Sequence, residues 1–187
     1  MNFKNMVLTS LFAIVASFGF LSEAFASAPP VPSEKVIVEK VKFKNRIGIE
    51  VVGDLYIPKD MDSTKKYPAI VVGHTFTGIK EQTSGLHAQK LAEIGYVTLA
   101  FDASFWGESG GTPRNIEVPE IRVEDFSAAV DFLSNHALVD PGRIGVVGIC
   151  GGGGYSVSAA AIDHRIKAVA TISMYALRRA RRQGLGD

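Results

Sequence analysis

The chain has little of several things. It holds one cysteine, one tryptophan and four histidines in 187 residues. A single thiol excludes an intrachain disulfide, and no Cys/His spacing suits a metal site, so none is expected. Charge of one sign is scarce too: 20 Lys and Arg oppose 19 Asp and Glu, a formal net charge of +1, which argues against nucleic acid as a partner. Internal repeats are absent. The longest apolar stretch, Met6 to Phe20, falls short of the roughly 20 residues of a membrane span.

What remains describes one globular domain, with 47% hydrophobic and 21% charged residues. The small net charge hides an asymmetry. Ala176 to Asp187 contains four arginines and one aspartate, so the chain ahead of it is mildly acidic. Residues 1–26 read as an export signal: Lys4 supplies positive charge, Met6 to Phe20 the apolar core, and Ala24-Phe25-Ala26 a small-x-small cleavage site. Residues 27–35, with Pro29, Pro30 and Pro32, read as a stiff linker. The mature protein is therefore expected in the periplasm of a bacterium or secreted, with no stable membrane insertion after cleavage.

From residue 36 the pattern alternates strand and helix. Strands are expected at Val36 to Phe43 and Ile47 to Ile57, joined by a short connection at Asn45-Arg46, with a bulge at Gly53. Nearly unbroken apolar runs follow at Tyr67 to Gly73, Tyr96 to Phe101, Ile144 to Ile149 and Ile166 to Met174, as buried parallel strands require. Helices are expected over Gln82 to Ile94, with Leu86, Leu91 and Ile94 inward, over Ile121 to Asn135, and from Tyr155 to Ile162. Asp140-Pro141-Gly142 reads as a turn. The fold class is α/β, a mostly parallel sheet with helices on both faces.

Gly148-Ile149-Cys150-Gly151-Gly152 is the chemically informative run. A buried strand stops at a Cys between glycines and a small-residue helix follows. A turn this sharp strains the nucleophile's backbone and leaves no room for side chains two positions either side. It also sets the thiol at the positive end of a helix dipole, which favours an anion there. A phosphate-binding turn is the rival for this glycine run, but that turn belongs after the first strand with an acidic residue about 20 positions on, where this chain reads Thr171-Ile172-Ser173.

Two further loops end parallel strands: Gly73-His74-Thr75-Phe76-Thr77-Gly78 and Asp102 to Gly111. With the Cys run they make the chain, from about Val36 to Tyr175, resemble the α/β-hydrolase superfamily, in its dienelactone-hydrolase-like branch where Gly-x-Cys-x-Gly replaces Gly-x-Ser-x-Gly. The resemblance implies an α/β-hydrolase fold and hydrolysis of a small ester or lactone with no cofactor. It implies Cys150 as nucleophile and the backbone N–H groups of Gly151 and Phe76 as oxyanion hole. His74, Thr75, Asp102, Trp106 and Ser109 would belong to pocket loops. Where dienelactone hydrolases carry a Glu that holds the resting thiol, this chain has Thr75.

Only 37 residues follow Cys150. In the superfamily an acid and then a His follow the nucleophile. Asp163 and His164 precede the last strand, at the wrong end of the sheet. The expectation is thus a domain over 36–175 with its last strands missing, an off-pattern Arg-rich tail over 176–187, and impaired catalysis. The alternatives are a non-catalytic small-molecule-binding module or a non-functional fragment.

Overall fold

A computed structural model describes residues 31–175 together with 179, 182 and 183. The export signal over 1–26 and most of the tail lie outside the described residues. Six strands form one sheet: β1 (Val36–Lys44), β2 (Glu50–Pro58), β3 (Tyr67–Gly73), β4 (Val97–Phe101), β5 (Val139–Ile149) and β6 (Ile166–Ile172), in the order β1-β2-β4-β3-β5-β6. The β1–β2 and β2–β4 pairs are antiparallel, and β4–β3, β3–β5 and β5–β6 are parallel. Helices α1 (Gly85–Ala92), α2 (Pro119–Ser134) and α3 (Gly151–Ile162) connect the parallel strands. No described helix is long and apolar enough to cross a membrane.

Both sheet faces carry apolar side chains, because each parallel strand is apolar at successive positions. The larger cluster joins Phe101, Val71 and Ile144 of the sheet to Phe126, Val130 and Leu133 of α2 and to Tyr155 and Ala159 of α3. Phe101 and Phe126 meet edge to face, centroids 5.3 Å apart. Gly73 lets them in: a Cβ there would stand 2.2 Å from Phe126 Cζ. The opposite face packs Val72, Ala100 and Ile149 against Ala88 and Ala92 of α1. Helices therefore cover both faces, as expected.

Several local expectations are corrected. The β1–β2 connection runs from Asn45 to Ile49, because the buried Asn45 side chain ties it to Ser104 and Asp125 while its backbone bonds Ile49 and Gly48. Gly53 is no bulge: it pairs in register with Val41, and a Cβ there would stand 2.8 Å from Leu99 Cδ1. The Gln82 to Ile94 helix is in fact a π-turn over Lys80–Ser84 followed by α1. Its inward residues are small, Ala88 and Ala92, while Leu86 and Ile94 are exposed. Asp140-Pro141-Gly142 lies within β5. Strand β6 is not buried: only Ile166 is, and Lys167 to Ile172 are exposed. Ala168 and Ala170 instead help line an open, mostly apolar cavity of about 360 Å³ with Ile70, Tyr96 and Val147.

Candidate active site

The loops after β3, β4 and β5 meet at one edge of the sheet, where open α/β sheets bind ligands. At its centre Cys150 caps α3 with φ 53° and ψ −116°, a conformation costly to a residue with a Cβ. Its neighbours enforce it. A Cβ on Gly148 would stand 2.4 Å from both the Gly152 carbonyl and Ser156 Oγ, and one on Gly152 would stand 2.4 Å from the His74 carbonyl. The spacing argument for Gly148 and Gly152 is thus met by specific atoms. Cys150 N–H donates to Ile172 O at 2.9 Å, and Cys150 O accepts from Tyr175 N–H at 2.9 Å. The segment after β6 therefore clamps the elbow from one side while the loop after β3 presses Gly152 from the other.

The β3 loop is held from beneath. His74 is 2% exposed, and its Nδ1 lies 2.7 Å from Thr75 O, an acceptor, so Nδ1 carries the proton. Nε2 then accepts from Ala103 N–H at 3.1 Å and from Arg122 at 2.8 Å. Burial, with the Arg122 charge adding to it, holds the His74 pKa well below the usual histidine value, against the opposing bond to Thr75. Thr75 O also accepts from Gly78 N–H at 3.1 Å. Thr75-Phe76 is a trans peptide, so its N–H points away from its pinned C=O. Among the described residues neither Phe76 N–H nor Gly151 N–H meets an acceptor. Phe76 itself is 38% exposed at the loop surface.

The pocket-loop residues divide. Thr75 is partly buried, its Oγ1 facing Gly78. His74, Asp102 and Ser109 are enclosed and line no open surface. Asp102 accepts from the backbone N–H of Lys80 and Glu108 and from Lys80 Nζ at 3.0 Å. Ser109 Oγ donates to Asp102 O and accepts from Val52 N–H. Trp106 Nε1 donates to Ile116 O, and its ring packs on the larger core cluster. Gly110 N–H bonds Glu50 O at the start of β2, which ties the β4 loop to that strand. The polar groups of Asp102, Trp106 and Ser109 are thus consumed in building the loop.

Sequence reasoning missed the buried charges. Arg122 on α2 stands over the Tyr155 ring at 5.3 Å and pairs with Glu117 at 3.2 Å, both side chains 4% exposed. Lys80 is fully buried, ion-paired to Asp102, Glu81 and Glu108. These three carboxylates converge as metal ligands would, but on the Lys80 ammonium. Burial alone would lower the Lys80 pKa; its bonds to Glu108, Glu81 and Asp102 outweigh that and raise it. Bonds to Lys40 and Lys80 hold Glu108 down to about 2. Nothing in the local pattern separates Arg122 or Lys80 from ordinary surface cations.

None of the four histidines offers Cys150 a ring nitrogen. His74 uses both of its own, His87 bonds Thr83 O within its helix, His136 stacks near Phe132 beyond the end of α2, and His164 lies past the far end of α3.

Residues 52–183 match the family model described as "Dienelactone hydrolase family". PA2218, an uncharacterized protein of Pseudomonas aeruginosa, is 54% identical over 155 residues, covering 83% of this chain and 42% of its own length. Its crystal structure superposes with a TM-score of 0.81 at 53% identity, over 84% of this chain and 49% of that one. Thiohydrolase aneE of Aspergillus aculeatus is 31% identical over 140 residues, covering 75% of this chain and 42% of its own length. The chain thus spans less than half the length of these curated relatives.

Proposed function

This chain belongs to the dienelactone hydrolase family, and we propose that it attacks small esters, lactones or thioesters through Cys150. The observation that carries the reading is the backbone of Cys150, held at φ 53° and ψ −116° between Gly148 and Gly152 at the head of α3. Strain of this kind, enforced from several sides, marks a nucleophile presented above a sheet. Relatives named as thiohydrolases support a thioester or ester carbonyl as target.

The Cys150 thiolate forms a C–S bond to the carbonyl carbon, and the carbonyl π electrons move onto oxygen. The N–H groups of Gly151 and Phe76 receive that oxyanion; each such donor is worth about 2.7–4 kcal/mol to the transition state. Collapse breaks the bond to the leaving alkoxide or thiolate, which takes a proton from water and leaves an acyl-thioester on Cys150. Cys needs a base less than Ser does, since a few per cent is thiolate at neutral pH. No histidine of this chain stands ready to activate water, so acylation outruns deacylation. In the same reading residues 1–26 export the protein, which cell fractionation tests.

Incubation with 4-nitrophenyl acetate followed by intact mass and peptide mapping tests the chemistry. One acetyl group on Cys150 is expected, with 4-nitrophenolate released in a single burst. Equal labelling of a Cys150→Ala chain would overturn it.

A further inference from the structure

Two loops bracket Cys150, and each presents one exposed apolar side chain. Phe76 stands on the loop after β3, whose His74 carbonyl limits residue 152 to glycine. Met174, 50% exposed, stands on the segment after β6. Its position is fixed by its neighbours: Ile172 O and Tyr175 N–H both bond the Cys150 backbone, Ser173 turns through φ 48°, and a Cβ on Gly153 would stand 3.0 Å from Met174 Cγ. Met174 therefore rests on the first turn of the nucleophile helix.

The flanking segments are uncharged throughout: His74 to Gly78, Cys150 to Gly154 and Ile172 to Tyr175 contain no Lys, Arg, Asp or Glu. The one titratable ring among them that is buried, His74, is neutral, and Arg122 behind it is enclosed and engaged with His74 and Glu117. A substrate carboxylate passing between these three segments would lose water and find no cation in them, an expensive transfer. A flexible thioether on one of these segments and an aromatic ring on another instead suit a pliable apolar chain.

We propose that Met174 and Phe76 form the acyl wall of this site and select neutral, apolar acyl groups against carboxylate-bearing ones, with Met174 as a specificity-determining residue. The assignment rests on Cys150 being the nucleophile. It makes Met174 the position at which acyl charge preference is set.

Two esters of equal chain length, 4-nitrophenyl hexanoate and mono-4-nitrophenyl adipate, separate the possibilities. The hexanoate is expected to acylate Cys150 about tenfold faster, and Met174→Lys to narrow that ratio about fivefold by supplying a cation at the wall. Equal rates on the native chain, or an unchanged ratio in Met174→Lys, would overturn the proposal. A parallel readout needs no catalysis: alkylation of Cys150 by iodoacetamide against iodoacetate, relative to the same ratio for N-acetylcysteine. The native chain should favour the neutral reagent beyond the free thiol, and Met174→Lys should reverse that. If neither ester labels Cys150, the catalytic reading fails, and the alkylation ratio still decides the character of the cleft.

Discussion

Arg122 donates to Nε2 of His74 across 2.8 Å, with both side chains enclosed. The bond links α2 to the loop after β3. By occupying Nε2, Arg122 and Ala103 N–H leave the ring proton on Nδ1, and that proton fixes the Thr75 carbonyl. The orientation of the Phe76 N–H follows from the trans peptide between them.

Removing one partner of a buried pair strands the other. Arg122→Met should leave the Glu117 carboxylate enclosed without its cation and lower unfolding free energy by about 3 kcal/mol. Arg122→Met with Glu117→Gln should recover part of that loss. Urea unfolding of the three chains checks this; equal stability of the single and double variants would show the pair to be uncoupled.

His74 gives stability a pH dependence of known sign. Its folded pKa lies below its unfolded value near 6.5, so the unfolded chain binds the proton first. Its contribution is complete above pH 6.5 and declines as pH falls below it, by up to about 1.4 kcal/mol per pH unit from this residue. His74→Asn, whose amide replaces the Nδ1 donor, should lose that slope. Urea midpoints at pH 7 and pH 5 provide the comparison.

The elbow glycines differ from Gly48 in what surrounds them. Gly148→Ala must push its Cβ into Gly152 O and Ser156 Oγ and should destabilise by about 3 kcal/mol. Gly48→Ala, at φ +86° with nothing within 4 Å, should show only the left-handed backbone cost of about 1–2 kcal/mol. If thermal and urea unfolding rank the two variants the other way, the packing account of the elbow is wrong.

Strain at Cys150 should be recoverable. Cys150→Gly relieves a conformation costing about 1–3 kcal/mol, against about 0.5–1 kcal/mol for the freedom glycine gains in the unfolded chain. The variant should match or exceed the native stability, by up to about 2.5 kcal/mol, and accept no acyl group. A loss of stability in Cys150→Gly would show the thiol itself to be a packing element.

The elbow was legible because its requirement is local: a strand, a turn and a helix must succeed one another within a few residues, so Gly148, Cys150 and Gly152 had to be adjacent in sequence. The α/β class was legible for a similar reason, since apolar runs alternating with helical patterns admit few architectures. The first-helix reading held for Leu91, which packs on the α1-side cluster, but not for Leu86 and Ile94, because periodicity weights large apolar residues while the sheet accepts α1 mainly through Ala88 and Ala92. Strand β6 failed in the opposite way: Ile166 to Ile172 is apolar enough to be buried, but among the described residues it has a neighbour on one side only.

By itself the sequence determined the strand and helix order, the position of the Gly148-to-Gly152 turn and the neutrality of the segments around it, because each depends on residues close along the chain. The tertiary structure alone decided that His74 is an enclosed strut behind the loop after β3, that Arg122 and Lys80 are interior charges, and that Met174 lies on the first turn of α3. Those roles depend on partners 22 to 48 positions apart, or on strands that meet only when the sheet closes. Burial and electrostatic partnership are properties of the assembled neighbourhood, and no local pattern encodes them.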